Sequence, residues 1–163
     1  MEFDDIVFWH NKVDDMEPAD FFQSFTLLKE RQPAVYAILA LVKETIDDQR
    51  AYIGFLRFFY VVWQCLETTD ARMATQPVAI EDLKKHIIDR TQLLLYVGKE
   101  DDVGEFDTVM NQRVRDARQS GLLSYVWGGV FTEEKIFAVS MGVRWQIVVW
   151  LWAIIDTFDE QMD

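Results

Sequence analysis

The chain has 163 residues, half of them apolar and 14% aromatic, which is enough to bury a core and excludes a disordered chain. Its 28 acidic against 16 basic side chains leave a net charge of −12. That balance excludes a general nucleic-acid binder, whose affinity rests on Lys and Arg neutralising phosphates.

The N-terminal Met1-Glu2-Phe3-Asp4-Asp5 lacks the basic start and apolar run of a secretory signal, so the expected location is the cytoplasm. Residues 1–17 read as an acidic arm with apolar points at Phe3, Ile6, Val7, Phe8 and Trp9, either a short helix or an extended strap on the rest of the domain.

Pro18 suits a first helical turn, and Phe21, Phe22, Phe25 and Leu28 follow at helical spacing, which predicts a helix over 18–31. Pro33 closes that element and opens the next, where Val35, Ile38, Leu41 or Val42, and Ile46 keep the core-facing period. The polar run Asp47-Asp48-Gln49-Arg50 then reads as a break rather than the wet middle of one long helix, since two antiparallel helices bury both stripes against each other. The following helix carries Tyr52, Phe55, Phe59, Val62 and Leu66 and ends at Glu67-Thr68-Thr69-Asp70.

Over roughly residues 30–66, Gln32-Pro33-Ala34 leads into Tyr36-Ala37-Ile38-Leu39, then a polar turn, Tyr52, Phe55-Leu56 and Val61-Val62-Trp63. This stretch resembles a group of uncharacterised bacterial helical proteins. The resemblance implies an all-α bacterial protein and brings no activity with it.

Cys65 lies in an apolar run and is the only cysteine, so no internal disulfide or multi-cysteine zinc site is open to the chain. It is expected as a small buried hydrophobe. A helix from Pro77 carries Ile80, Leu83, Ile87, Leu94 and Leu95 as its main apolar points, with Gly98 as its stop. On it, His86 shares a face with Asp89 and is expected to be exposed beside that solvated acid.

Asp102 and Glu105 have the spacing of a capping box, which opens a further helix through Phe106, Val109, Met110 and Val114, ending near Gly121. Leu122 to Phe131 reads as a short apolar segment broken at Gly128-Gly129. Thr132 is expected to cap a final helix that is apolar all round from Trp145 to Ile155. Both highly apolar stretches, 51–66 and 145–155, fall short of the ~20 residues a membrane span requires. The sum is a single all-α domain, a bundle of six or seven mostly antiparallel helices.

Catalytic signatures are missing: the sequence has no phosphate-binding Gly-rich loop, no Gly-x-Ser-x-Gly elbow and no His-Glu-x-x-His or Glu-x-x-His metal helix. Glu44, Asp47 and Asp48 form the one carboxylate set of interest, because three- and four-residue spacings put Glu44 on a face with both aspartates. Such a set holds Mg²⁺ or Mn²⁺ only when a facing helix supplies more oxygens. No other cofactor is expected.

Trp145, Trp150 and Trp152 are divided between faces of the last helix, so one face can serve an interface. Arg57 and Arg144 interrupt the two most apolar segments, and each predicts either a carboxylate from another helix or a snorkelled guanidinium. The reading with most support is a non-enzymatic, acidic protein-interaction module, an adaptor or immunity-type protein, whose partner is another protein or a second copy. A metal-dependent hydrolase of nucleotides or other phosphorylated small molecules is the alternative, and an apolar-ligand binder a third.

Overall fold

The computed structural model describes residues 3–70, 72, 75–97, 103–132 and 139–162, with backbone alone at 97 and 103–107. Eight helices make up this part of the chain: α1 (Phe3–Asp14), α2 (Pro18–Arg31), α3 (Pro33–Thr45), α4 (Gln49–Thr69), α5 (Ile80–Val97), α6 (Val103–Asp116), α7 (Ser120–Thr132) and α8 (Met141–Gln161). No strand occurs among the described residues, and no helix among them is long and apolar enough to cross a membrane.

The all-α class stands, and the count of six or seven is corrected to eight. One added helix is α1, which settles the open choice for the N-terminal arm: Ile6 and Val13 are buried against α4 and α7, while Phe3, Val7 and Phe8 stay exposed. The start at Pro77 moves to Ile80. The other corrections concern α7. Gly121 lies inside its first turn, and Gly128-Gly129 does not break it. Gly129 is where α7 passes Phe58 of α4, and a Cβ there would overlap the Phe58 ring. Thr132 is the last residue of α7, its hydroxyl donating to the Gly128 carbonyl at 2.6 Å. Ser140 caps α8 instead, accepting from the Val143 amide. Gly98 and the Asp102–Glu105 box lie outside the described residues.

Prolines at N1 start α2 and α3, and Asp48 caps α4 by accepting from the Ala51 amide at 2.8 Å. α4 and α8 are the centre of the fold. Burial of Phe55, Phe59, Cys65 and Leu66 on α4, and of Ile147, Leu151, Ile155 and Phe158 on α8, removes most of their apolar area from water. Each such large side chain stabilises the fold by about 1.5–3 kcal/mol. Trp63 meets Phe158 edge-on at 5.3 Å between ring centroids, tying the two helices. α5 and α7 flank α8, α1 lies on α4, and α2 lies on α3.

Between α4 and α5, the buried Gln32 side chain holds the connecting segment. Its amide nitrogen donates to the Gln76 carbonyl at 2.8 Å, and its oxygen accepts from the Val78 amide at 2.9 Å.

Candidate functional site

The candidate site starts from a doubling of aromatics on α2. Phe21, Phe25 and Leu28 follow the i, i+4, i+7 stripe and are buried. Phe22, the next residue after Phe21, is rotated by about 100° and stays 54% exposed. α2 reaches α4 through rings, Phe21 with Tyr60 at 5.9 Å and Phe25 with Phe59 at 6.1 Å. A helix held off by whole aromatic rings leaves room beside it.

That room is a cleft of three adjoining hollows, all walled by Phe22. The first, about 240 Å³, lies against Val13, Met16, Pro18, Ile53 and the Asp14–Arg57 ion pair. The second, about 460 Å³, is lined by Lys43, Ile46, Asp47, Gln49, Tyr52, Ile53 and Leu56. The third, about 380 Å³, continues along α3 past Phe25, Tyr36, Leu39 and Ala40. In its wall the Tyr52 hydroxyl donates to the Leu39 carbonyl at 3.3 Å. Burial, then the neighbouring Tyr36, pushes the Tyr52 phenol above its ordinary pKa, so it stays a neutral donor.

Charge gathers on the two turns that frame this cleft. Asp15, Glu17 and Asp20 flank its lining residues on the α1–α2 side, and Glu44 and Asp47 on the α3–α4 side. All five are exposed and make no ion pair among the described residues. Of the two cations in the lining, Arg57 is matched by Asp14, which also lies 3.9 Å from His10 Nε2. His10 Nδ1 is in turn 3.0 Å from the Tyr125 hydroxyl on α7.

The carboxylates considered for a metal are all exposed: Asp47 lines the cleft, Glu44 sits on the outer face of α3, and Asp48 is occupied by its capping bond. No set of three or more His, Cys, Asp or Glu gathers as a metal site among the described residues. Trp152 and Trp150 are buried, whereas the half-buried Trp145 packs on Phe131 at 4.7 Å and Trp127 at 5.1 Å. Trp145 and Trp150 also line a smaller groove of about 270 Å³ between α5 and α8. Arg57 bonds across to Asp14, and the Arg144 guanidinium donates to the Phe131 carbonyl at 3.4 Å.

His86 corrects the expectation placed on it. It is buried, and its Nε2 lies 3.1 Å from a Glu160 carboxylate oxygen, close but poorly aligned for a hydrogen bond. Asp89 points to solvent instead. One turn along α5, Arg90 donates to Asp156 at 2.6 Å and lies over the Trp152 ring at 4.6 Å. Burial raises the Asp156 pKa against the opposing pull of the Arg90 guanidinium. The sequence signal for this cluster is a pair of matched i, i+4 sets, His86 and Arg90 on one helix against Asp156 and Glu160 on the other. Cys65 is wholly buried and its thiol is pushed up to about 12, mainly by burial, so it is no nucleophile in the folded chain.

No family model, no curated protein and no solved structure matches this chain. Function is therefore argued from this geometry.

Proposed function

We propose that the protein is a non-enzymatic, acidic protein-interaction module that receives an apolar segment of a partner protein in the cleft beside α2. The observation that carries this reading is the exposure of Phe22 and Ile53, 54% and 36%, at the junction of the hollows. A side chain kept in water at a concave apolar wall is available to a partner, and aromatic anchors dominate interface energetics. The net charge of −12 adds attraction for a basic partner and makes its association salt-sensitive.

The hydrolase alternative draws less support from the same geometry. Its three acids are on the surface, and one is engaged in capping α4. Hard cations require several convergent oxygens. An apolar small molecule in the cleft is the reading that intact-mass analysis of the purified protein tests, through a co-purifying lipid-sized species.

The test is affinity capture at low and raised salt by the wild type, Phe22→Asp and Ile53→Asp, followed by reconstitution with the purified captured protein. Both positions are on the surface, so both variants should keep the wild-type melting midpoint. The reading expects a protein whose binding is lost in both variants and weakened by salt. Equal capture by all three proteins refutes it.

A further inference from the structure

Resting on that reading, we infer that the occupant of the cleft is a basic amphipathic helix, which seats three apolar side chains from one face and turns its cations toward the two acidic turns. The number and order of the hollows carry the first half. Three adjoining spaces of about 240, 460 and 380 Å³ share one wall at Phe22, the first two also meeting at Ile53 and the last two at Tyr52 and Leu56. A helix presents apolar anchors at i, i+4 and i+7 on one face, which is the pattern that fills successive hollows in a groove. The competing peptide mode, addition of an extended strand, needs a free sheet edge. Every described element is a helix, whose backbone groups bond within the element, so no such edge is offered among the described residues.

Charge carries the second half. Asp15, Glu17, Asp20 and Asp47 stand around the cleft without ion pairs among the described residues, against Lys43, the one lining cation that lacks a carboxylate there, and the exposed Arg50 next to Gln49. Arg57 adds no net positive charge because Asp14 cancels it. An acidic partner would meet repulsion on the α1–α2 side, whereas Lys or Arg flanking the anchors would meet unpaired carboxylates there and at Asp47. The same charge disfavours an anionic lipid surface as the occupant.

The experiment uses the full chain and three fluorescein-labelled synthetic peptides of about four helical turns. The first carries Leu at i, i+4 and i+7 with Lys on the flanks, the second replaces Lys by Glu, and the third has the first one's composition with the leucines spread around the helix. Fluorescence anisotropy should show binding of the first peptide alone. That binding should weaken at least tenfold in Phe22→Asp, and also in the triple variant Asp15→Asn/Glu17→Gln/Asp47→Asn, which keeps the side-chain shapes. Thermal melts check that both variants fold.

Equal binding of the Lys and Glu peptides, still lost in Phe22→Asp, overturns the basic helix and leaves the interaction reading standing. Equal binding of the scrambled peptide, or binding indifferent to Phe22→Asp, shows only charge attraction and also overturns it. Failure of all three peptides overturns it as well. If the captured proteins then also ignore Phe22→Asp, the interaction reading falls separately.

Discussion

Gly129 on α7 faces the ring of Phe58 on α4 so closely that a methyl group on Gly129 would occupy the same space as the ring. Phe58 is buried and also stacks on Tyr125 at 5.1 Å, so it has little freedom to withdraw. Gly129→Ala should therefore destabilise the protein by about 1–3 kcal/mol, the usual cost of overpacking, reduced by Ala's better helix propensity. Gly128→Ala is the control. A Cβ there meets nothing within 4 Å, so the substitution should stabilise by up to about 1 kcal/mol. Urea denaturation of both variants checks the pair, and equal effects would refute the close approach.

The three acids at the α3–α4 turn should separate by role. Asp48→Ala removes the side chain that accepts from the Ala51 amide, and should lower stability by about 1 kcal/mol. Glu44→Ala and Asp47→Ala alter exposed groups outside any ion pair and should stay within about 0.5 kcal/mol of wild type. Thermal melts with and without excess Mg²⁺ or Mn²⁺ measure both points together. A metal-induced rise in the wild-type midpoint that vanishes in Glu44→Ala would favour the hydrolase reading.

Asp156 gives a pH dependence with a definite sign. Burial holds its folded-state pKa above the ordinary carboxyl value of 3.8, so the folded protein binds this proton more tightly than the unfolded chain. The corresponding stability is fully present below pH 3.8 and is lost as pH rises through the raised folded value. The stability difference between wild type and Asp156→Asn should fall over that window and then level off. Denaturant titrations at a series of pH values measure it, and a difference that grows with pH is incompatible with the raised pKa.

Gln32→Ala should release the segment between α4 and α5. It removes one bond to the Gln76 carbonyl and one from the buried Val78 amide. An orphaned buried backbone group costs about 1–3 kcal/mol. Limited proteolysis should cut near residues 72–79 faster in the variant than in the wild type, while Gln76→Ala, which keeps its carbonyl, should behave as wild type.

The front half of the fold was legible because its boundaries are local. Pro18, Pro33 and the polar run at 47–50 mark where backbone hydrogen bonding must start or stop, and α2, α3 and α4 begin there. The end of α7 was not, because its controlling facts are tertiary. Gly128-Gly129 looks like a breaker in the sequence, yet Gly129 serves the approach of a phenylalanine from another helix. Thr132 and Ser140 are both competent caps, and only the back-bond from Thr132 to Gly128 shows that the helix has not yet ended. His86 failed in the same way. Its sequence neighbour Asp89 was in view, but Glu160 comes from the packing of α8 on α5. For the cleft, Asp47 was within the acids singled out, while Phe22 was read into the apolar α2 stripe, although it lies about 100° off it and is exposed, and Ile53 had no local mark.

The bond between His10 and Tyr125 joins residues 115 positions apart in the chain. α1 is seated mainly on α4 and α7, so the apolar side chains of Ile6 and Val13 have no complete burial site until α7 is made. At about 5–20 residues per second, the interval between making the two partners is roughly 6–23 s. During that time α1 is only partly seated, and a nascent-chain holdase that covers such helices has its opportunity there. Docking of α1 on α7 accordingly waits for residues made 115 positions further along the chain.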